Sequence, residues 1–233
     1  MKMKPIKDCW KDLDKNIKMK KIIKSLTKKE ICLLLLAMPF NFLIYYGARF
    51  LVRNNYHYSL PTLFEDKIPF MPWTVIFYWG LSIIWIINYY IGVRDGKEDN
   101  YRFIKAHYIG DIIAFIVFIF FPTVMKRPEI IGNDLLSNIV KMQYIVDEPN
   151  NLLPSIHCFV SWLCFRGIVK NDKIPTWYKW VSFISAILVC VSTLTVKQHL
   201  FVDIIAGILL AEISYLIAKY IDNKANCSKN IDE

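Results

Sequence analysis

Six apolar runs, at 31–52, 70–93, 106–122, 153–169, 177–196 and 200–220, dominate this sequence of 233 residues, 55% of them hydrophobic. Each is close to the roughly 20 residues that cross a bilayer as a helix. Inside hydrocarbon every backbone N–H and C=O must be bonded within the protein, and a helix achieves this by itself. The expected fold is therefore all-α: a polytopic membrane protein built as a six-transmembrane-helix bundle over 31–220, with a polybasic segment at 1–30 and a tail at 221–233. The fourth run is short and carries Ser155, His157 and Arg166. Pro39 and Asn41 in the first run predict a kink or a polar contact inside the bundle.

Six spans place both termini on one side. The loop after span two carries Arg94, Lys97, Arg102 and Lys105; the loop after span four carries Arg166, Lys170, Lys173 and Lys179; the tail carries Lys219, Lys224 and Lys229. All lie on the side of the N-terminus, so both termini are expected to be cytoplasmic in a cell-membrane protein. The formal charge of +9 is concentrated in residues 1–29, with eleven Lys against three Asp. This composition reads as a segment facing anionic lipid and argues against nucleic acid as a partner. About thirty polar residues precede the first run, so no cleaved signal peptide is expected. The six Cys show no paired spacing for disulfides or zinc.

Polar chemistry gathers at 192–203, Ser-Thr-Leu-Thr-Val-Lys-Gln-His-Leu-Phe-Val-Asp. Ionisable groups between two spans are costly, by roughly 2.5–3.5 kcal/mol each on insertion scales, and need a function. His199 and Asp203 are one helical turn apart, where a carboxylate orients an imidazole. The topology adds Lys126 and Arg127 after span three, and Ser155 and His157 at the start of span four. With Lys197 these are cations, a hydroxyl, two imidazoles and one carboxylate, the parts needed to bind a phosphate, attack it and protonate its leaving group. One carboxylate is a thin ligand set for magnesium, and no metal or other cofactor is expected. A non-enzymatic alternative, a permease or a di-histidine haem carrier, remains open on residue types. Against it, the two histidines lie at span ends, and Pro and Gly do not cluster at mid-membrane.

The order Arg127-Pro128, then Pro154-Ser-Ile-His157, then Ser192 followed by His199 and Asp203 resembles the three motifs of the type 2 phosphatidic acid phosphatase superfamily, whose soluble relatives include vanadium chloroperoxidases. Lys197-Gln-His199 and the stretch Glu65-Asp-Lys-Ile-Pro-Phe-Met-Pro72 followed by Tyr78 look most like the branch that includes inositol-phosphorylceramide synthase. The resemblance implies a lipid phosphate or diphosphate substrate and a phosphatase or phosphotransferase active at the outer face. It also implies that His199 is the nucleophile forming a phosphohistidine, Asp203 its orienting carboxylate and His157 the general acid. Arg127 and Ser155 would hold the phosphate. The chain departs from the pattern in three places: Phe120 stands where the motif has Lys, Ile156 where it has Gly, and Thr193 where it has Arg. Lys126, and Lys197 projecting from the same helical face as Thr193, are candidates to restore the missing charge.

Simpler roles are expected elsewhere. Ser155 after Pro154 suits a helix N-cap. Asp111 is expected to make a structural hydrogen bond, and Glu212 a bundle contact away from the site. His57 and His107 are expected at the interface, as are Trp73, Trp85 and Trp177. Residues 133–146 predict an amphipathic interfacial helix capped by Asn133, acting as a lid or as a plain connector.

Overall fold

The computed structural model describes residues 27–62, 64–95 and 101–229. The expected polybasic segment, up to residue 26, and the end of the tail lie outside the described residues. Thr27 starts helix α1 (Lys28–Leu51) with a reciprocal cap. Its hydroxyl accepts from the Glu30 N–H at 3.3 Å, and the Glu30 carboxylate accepts from the Thr27 N–H at 2.6 Å. Such a box satisfies amides that a helix start leaves unbonded. The helix continues through Pro39, and the polar contact expected of Asn41 is present: its Nδ2 donates to Asp111 Oδ1 at 2.7 Å.

The second span is divided into a 3-10 turn (Pro72–Thr74), α2 (Val75–Gly80) and α3 (Ser82–Asp95). There follow α4 (Arg102–Phe120), α5 (Leu135–Val146), α6 (Ile156–Ile168), α7 (Thr176–Thr195) and α8 (Phe201–Lys229). The strands β1 (Tyr58–Ser59) and β2 (Thr123–Val124) form a small parallel pair. Among the described residues, five spans are long and apolar enough to cross a membrane: Lys28–Leu51, Pro72–Arg94, Arg102–Phe120, Thr176–Thr195 and Phe201–Ala225. The fourth expected span is shorter than its apolar run, because Pro154 and the cap Ser155 delay the helix start to Ile156. At a rise of about 1.5 Å per residue, α6 covers roughly 20 Å of a hydrocarbon core about 30 Å thick. The bundle is all-α: the described residues form five long spans and the shorter α6, whose N-terminus opens into the protein interior.

Helix α4 packs on α1 and α8, while α6 contacts α3, α4, α7 and α8. Phe103, Ile104, Phe118, Phe159 and Leu163 form the main core. Large apolar side chains such as Leu43, Ile86, Ile116 and Leu209 point outward, a surface that lipid tails solvate as well as protein does. Two glycines allow close helix approaches beside the site. A Cβ at Gly110 would lie 2.2 Å from the Phe159 ring, and one at Gly207 would lie 2.5 Å from the Ser155 carbonyl oxygen. The second contact seats α8 against the start of α6, bringing their first turns together.

The remaining polar groups show how far the expectations carry. Glu212 makes the bundle contact expected of it, accepting from Trp162 Nε1 and Arg166 Nε at 2.9 Å each. His107 is not interfacial: it is fully buried, with Nδ1 2.7 Å from Tyr89 Oη and Nε2 3.1 Å from the Ala37 carbonyl. It occupies the α4 face turned toward α1 and α3, where a partnered imidazole is tolerated. Trp85 also points inward, donating to Ser161 Oγ at 3.0 Å, whereas Trp73 and Trp177 are exposed. The cap of α5 is Asp134 rather than Asn133, its Oδ1 accepting from the Leu136 and Ser137 amides at 3.1 Å each.

Candidate active site

Helix α7 ends in a turn that delivers His199. Gln198 N–H donates to the Thr193 carbonyl at 2.9 Å, and Lys197 adopts a left-handed φ of 56°. Glycine is the usual residue there, since a side chain costs about 1–2 kcal/mol in that region. Lys197 offsets the cost through its ammonium, which donates to the Glu65 and Ile68 carbonyls at 2.6 and 2.5 Å. This differs from the helical position expected of it. The helix has already ended at Thr195, so Lys197 does not project from the Thr193 face; it clamps the 65–68 turn instead. Glu65 binds the same region from the other side, its Oε1 accepting from the Phe201 N–H at the start of α8 at 2.6 Å.

His199 Nδ1 lies 3.4 Å from Asp203 Oδ2, which also accepts the Leu200 N–H at 2.8 Å. Asp203 is fully buried and His199 nearly so. The Asp203 carbonyl accepts from the Ser155 N–H at 3.0 Å, and Ser155 Oγ caps α6 by accepting from the Cys158 N–H at 3.4 Å. Two residues further, the His157 ring faces His199 with centroids 6.4 Å apart. His157 Nδ1 is 3.1 Å from Tyr78 Oη, whose ring packs on the imidazole at 4.2 Å. His157 Nδ1 is held by its hydrogen bond with Tyr78 Oη, whereas His199 Nδ1 stands beside Asp203 Oδ2 without a hydrogen bond to it among the described residues.

Both rings line a cavity of about 140 Å³ that runs between α1, α2, α3 and α5. Its walls are largely apolar and aromatic, with Phe42, Tyr46, Trp79 and Trp85 among them. Its polar lining includes Asn41, Gln143, Asp147 and Asn151, which sequence reasoning did not place at a site. Gln143 falls in the amphipathic helix expected at 133–146 without being singled out within it, and no motif marks Asp147 or Asn151.

The expected cations are arranged differently. Arg127 donates to the Asp147 carbonyl and to Gln198 Oε1, stacks on Tyr144 at 4.6 Å, and keeps a buried Nε without a partner among the described residues. Burial lowers its pKa while Asp147 opposes the shift, and a guanidinium remains charged. Arg127, Lys126 and Lys197 line a second, polar basin of about 820 Å³ with Glu65 and Asp66, so Arg127 stands in the wall between this basin and the residues flanking His199. Thr193, which occupies the motif's Arg position, is buried with its hydroxyl donating to the Cys190 carbonyl at 2.7 Å. Phe120, at the motif's Lys position, is largely exposed.

A constellation of two facing imidazoles, one backed by a carboxylate, can attack an electrophile with one ring and move a proton with the other. Comparison with known proteins points to one family. A family model described as the PAP2 superfamily matches residues 54–217, which include all of these groups. The chain is also similar to an uncharacterized protein of Methanocaldococcus jannaschii, 31% identical over 163 residues, or 68% of this chain. That match covers 64% of the archaeal protein, less than two thirds of its length. No solved structure matches. With a family match that spans most of the chain and takes in both histidines and the carboxylate between its first and last residue, the chain belongs to the PAP2 superfamily.

Proposed function

We propose that this protein removes or transfers the phosphoryl-containing head group of a membrane lipid through a phosphohistidine on His199, without a metal ion. The observation that carries this reading is the pairing of His199 and His157 across one cavity, 6.4 Å between ring centroids, whose other walls are mainly apolar. Phosphate chemistry takes place at the polar end, and a hydrocarbon chain follows the aromatic groove outward.

In the first step His199 Nε2 attacks phosphorus and the bond from phosphorus to the leaving oxygen breaks. Asp203 holds the ring and stabilises the positive charge that develops on it. His157, oriented by Tyr78, gives its Nε2 proton to the departing oxygen. In the second step His157 takes a proton from water or an alcohol, whose oxygen attacks the phosphohistidine and frees His199. Arg127 beside Gln198 neutralises the phosphate, and Ser155 at the α6 N-terminus adds the partial positive charge of a helix start.

Two further readings belong to this proposal. The contacts of Lys197 with Glu65 and Ile68, and of Tyr78 with His157, support kinship with the inositol-phosphorylceramide synthase-like branch, because the residues carrying that resemblance meet in space. The basic loops support cytoplasmic termini and a site toward the outer face of a cell membrane. The test is incubation of the purified protein with long-chain phosphate monoesters and polyprenyl diphosphate, with and without an alcohol acceptor. Release of phosphate, or its transfer, that persists after EDTA supports the reading. Absence of turnover on every lipid phosphate, or a strict need for added magnesium, contradicts it.

A further inference from the structure

Asn151 is 1% exposed and lines the cavity shared by His157 and His199, yet neither its Nδ2 nor its Oδ1 has a hydrogen-bond partner among the described residues. Gln143, 5% exposed and on the same wall, uses its Oε1 to accept from Trp79 Nε1 at 3.1 Å and leaves Nε2 without a partner among the described residues. Buried amides are normally satisfied, so three such atoms on one cavity wall call for a ligand. A local structural need does not account for the Asn151 side chain. The loop around it is fixed by its neighbours: the Asn151 N–H donates to the Thr123 carbonyl at 2.8 Å, and the Leu152 and Leu153 N–H groups donate to Thr123 Oγ1 at 3.0 Å each. The left-handed φ of 52° explains why Asn or Gly suits the position, but it does not explain a carboxamide held in a pocket beside two imidazoles.

We infer that Asn151, with Gln143 beside it, is a substrate-binding residue that donates hydrogen bonds to the phosphoryl oxygens of the group attacked by His199. The inference rests on the function proposed above and refines it. Lys126 and Lys197 line the second basin and Arg127 reaches the site only from the wall beside Gln198, so a phosphoryl group in the cavity meets neutral amide donors on the wall it shares with the imidazoles. The chemistry recognised is a tetrahedral oxyanion, from a lipid phosphate or from inorganic phosphate.

The test measures binding of radiolabelled inorganic phosphate to the full-length protein in detergent, alongside kcat and KM on a long-chain phosphate monoester. It compares wild type with Asn151→Asp, Asn151→Gly and Gln143→Glu. Asp and Gly both accept the left-handed backbone, so a purely conformational role leaves those two variants near wild type in both readouts. The expected result is weaker phosphate binding by about 10- to 100-fold in Asn151→Asp, where a carboxylate replaces the donor, and a smaller loss in Asn151→Gly, with melting temperatures little changed. Phosphate binding and kcat/KM within threefold of wild type in both Asn151 variants would overturn the inference while leaving the proposed function intact. A wild type that binds phosphate in an Asn151-dependent way but turns over no lipid phosphate would support the inference and defeat the function. A wild type that neither binds phosphate nor turns over would defeat both.

Discussion

Gly207 is the contact on which the alignment of the two histidines depends, and Gly207→Ala tests that dependence. A methyl group there would sit 2.5 Å from the Ser155 carbonyl oxygen, 3.1 Å from Cys158 Cβ and 3.2 Å from the Phe159 nitrogen. Two of these three atoms are backbone, so no side-chain rotation relieves the contact. Reaching even 3.0 Å requires α8 to withdraw from α6 by about 0.5 Å, and ordinary van der Waals distance by about 1 Å. Overpacking of this kind costs about 1–3 kcal/mol. The same movement stretches the 3.0 Å bond from Ser155 N–H to the Asp203 carbonyl and shifts His199 relative to His157. A misplacement near 1 Å at a reacting centre costs on the order of 10²-fold in rate. The assay is kcat/KM on a lipid phosphate together with thermal unfolding in detergent. Gly47→Ala serves as the control, because a Cβ there has nothing within 4 Å. Gly207→Ala with both activity and melting temperature equal to Gly47→Ala would refute the claim that close α6–α8 packing aligns the site.

Tyr78→Phe removes the hydroxyl 3.1 Å from His157 Nδ1 while keeping the ring stacked, and should lower kcat about tenfold with a displaced pH profile; an unchanged profile rejects the orienting role. Lys197→Met, losing two charge-assisted bonds to carbonyls in a left-handed turn, should destabilise by about 2 kcal/mol as read from denaturant unfolding, and Lys197→Gly should recover part of that loss. Glu148 pairs with Arg49 at 2.8 Å, and that hydrogen bond and charge hold its carboxyl below its usual value. A depressed folded pKa means that this stability is fully present above the unfolded value, near 4.5, and is lost as pH falls through the folded one. Because Glu148 is mostly exposed, Glu148→Gln should cost no more than about 1 kcal/mol at pH 7, and the cost should shrink as pH falls through the folded pKa.

The bundle was legible because apolar run length and backbone satisfaction leave few options, and because Ser155, His157, His199 and Asp203 sit at fixed spacings on helix starts. What sequence spacing did not show depends on turns and on contacts distant along the chain. Helical counting places Lys197 beside Thr193, but the helix ends at Thr195 and the left-handed residue turns the ammonium onto the 65–68 carbonyls. His107 looks like an interfacial imidazole until Tyr89 and Ala37 arrive from other helices to bond it. Asn151 belongs to no motif, and the amphipathic pattern over 133–146 does not single out Gln143. Their significance arises only where α5 and the loop before α6 fold over the cavity, with Tyr45 Oη donating to Asp147 at 2.5 Å from α1.

The central claim is that phosphorus becomes bonded to His199. Brief incubation with a lipid substrate labelled in its phosphoryl group, followed by rapid denaturation at alkaline pH, measures phosphate bound to protein and its lability to acid. The account predicts acid-labile label on the wild type, its loss in His199→Ala, and a slower build-up in Asp203→Asn, whose His199 ring is less well oriented. In His157→Ala the label should form readily from an activated aryl phosphate and clear slowly, because the leaving group then needs little protonation while the attacking water still needs a base. Undiminished acid-labile phosphate in His199→Ala would contradict the account.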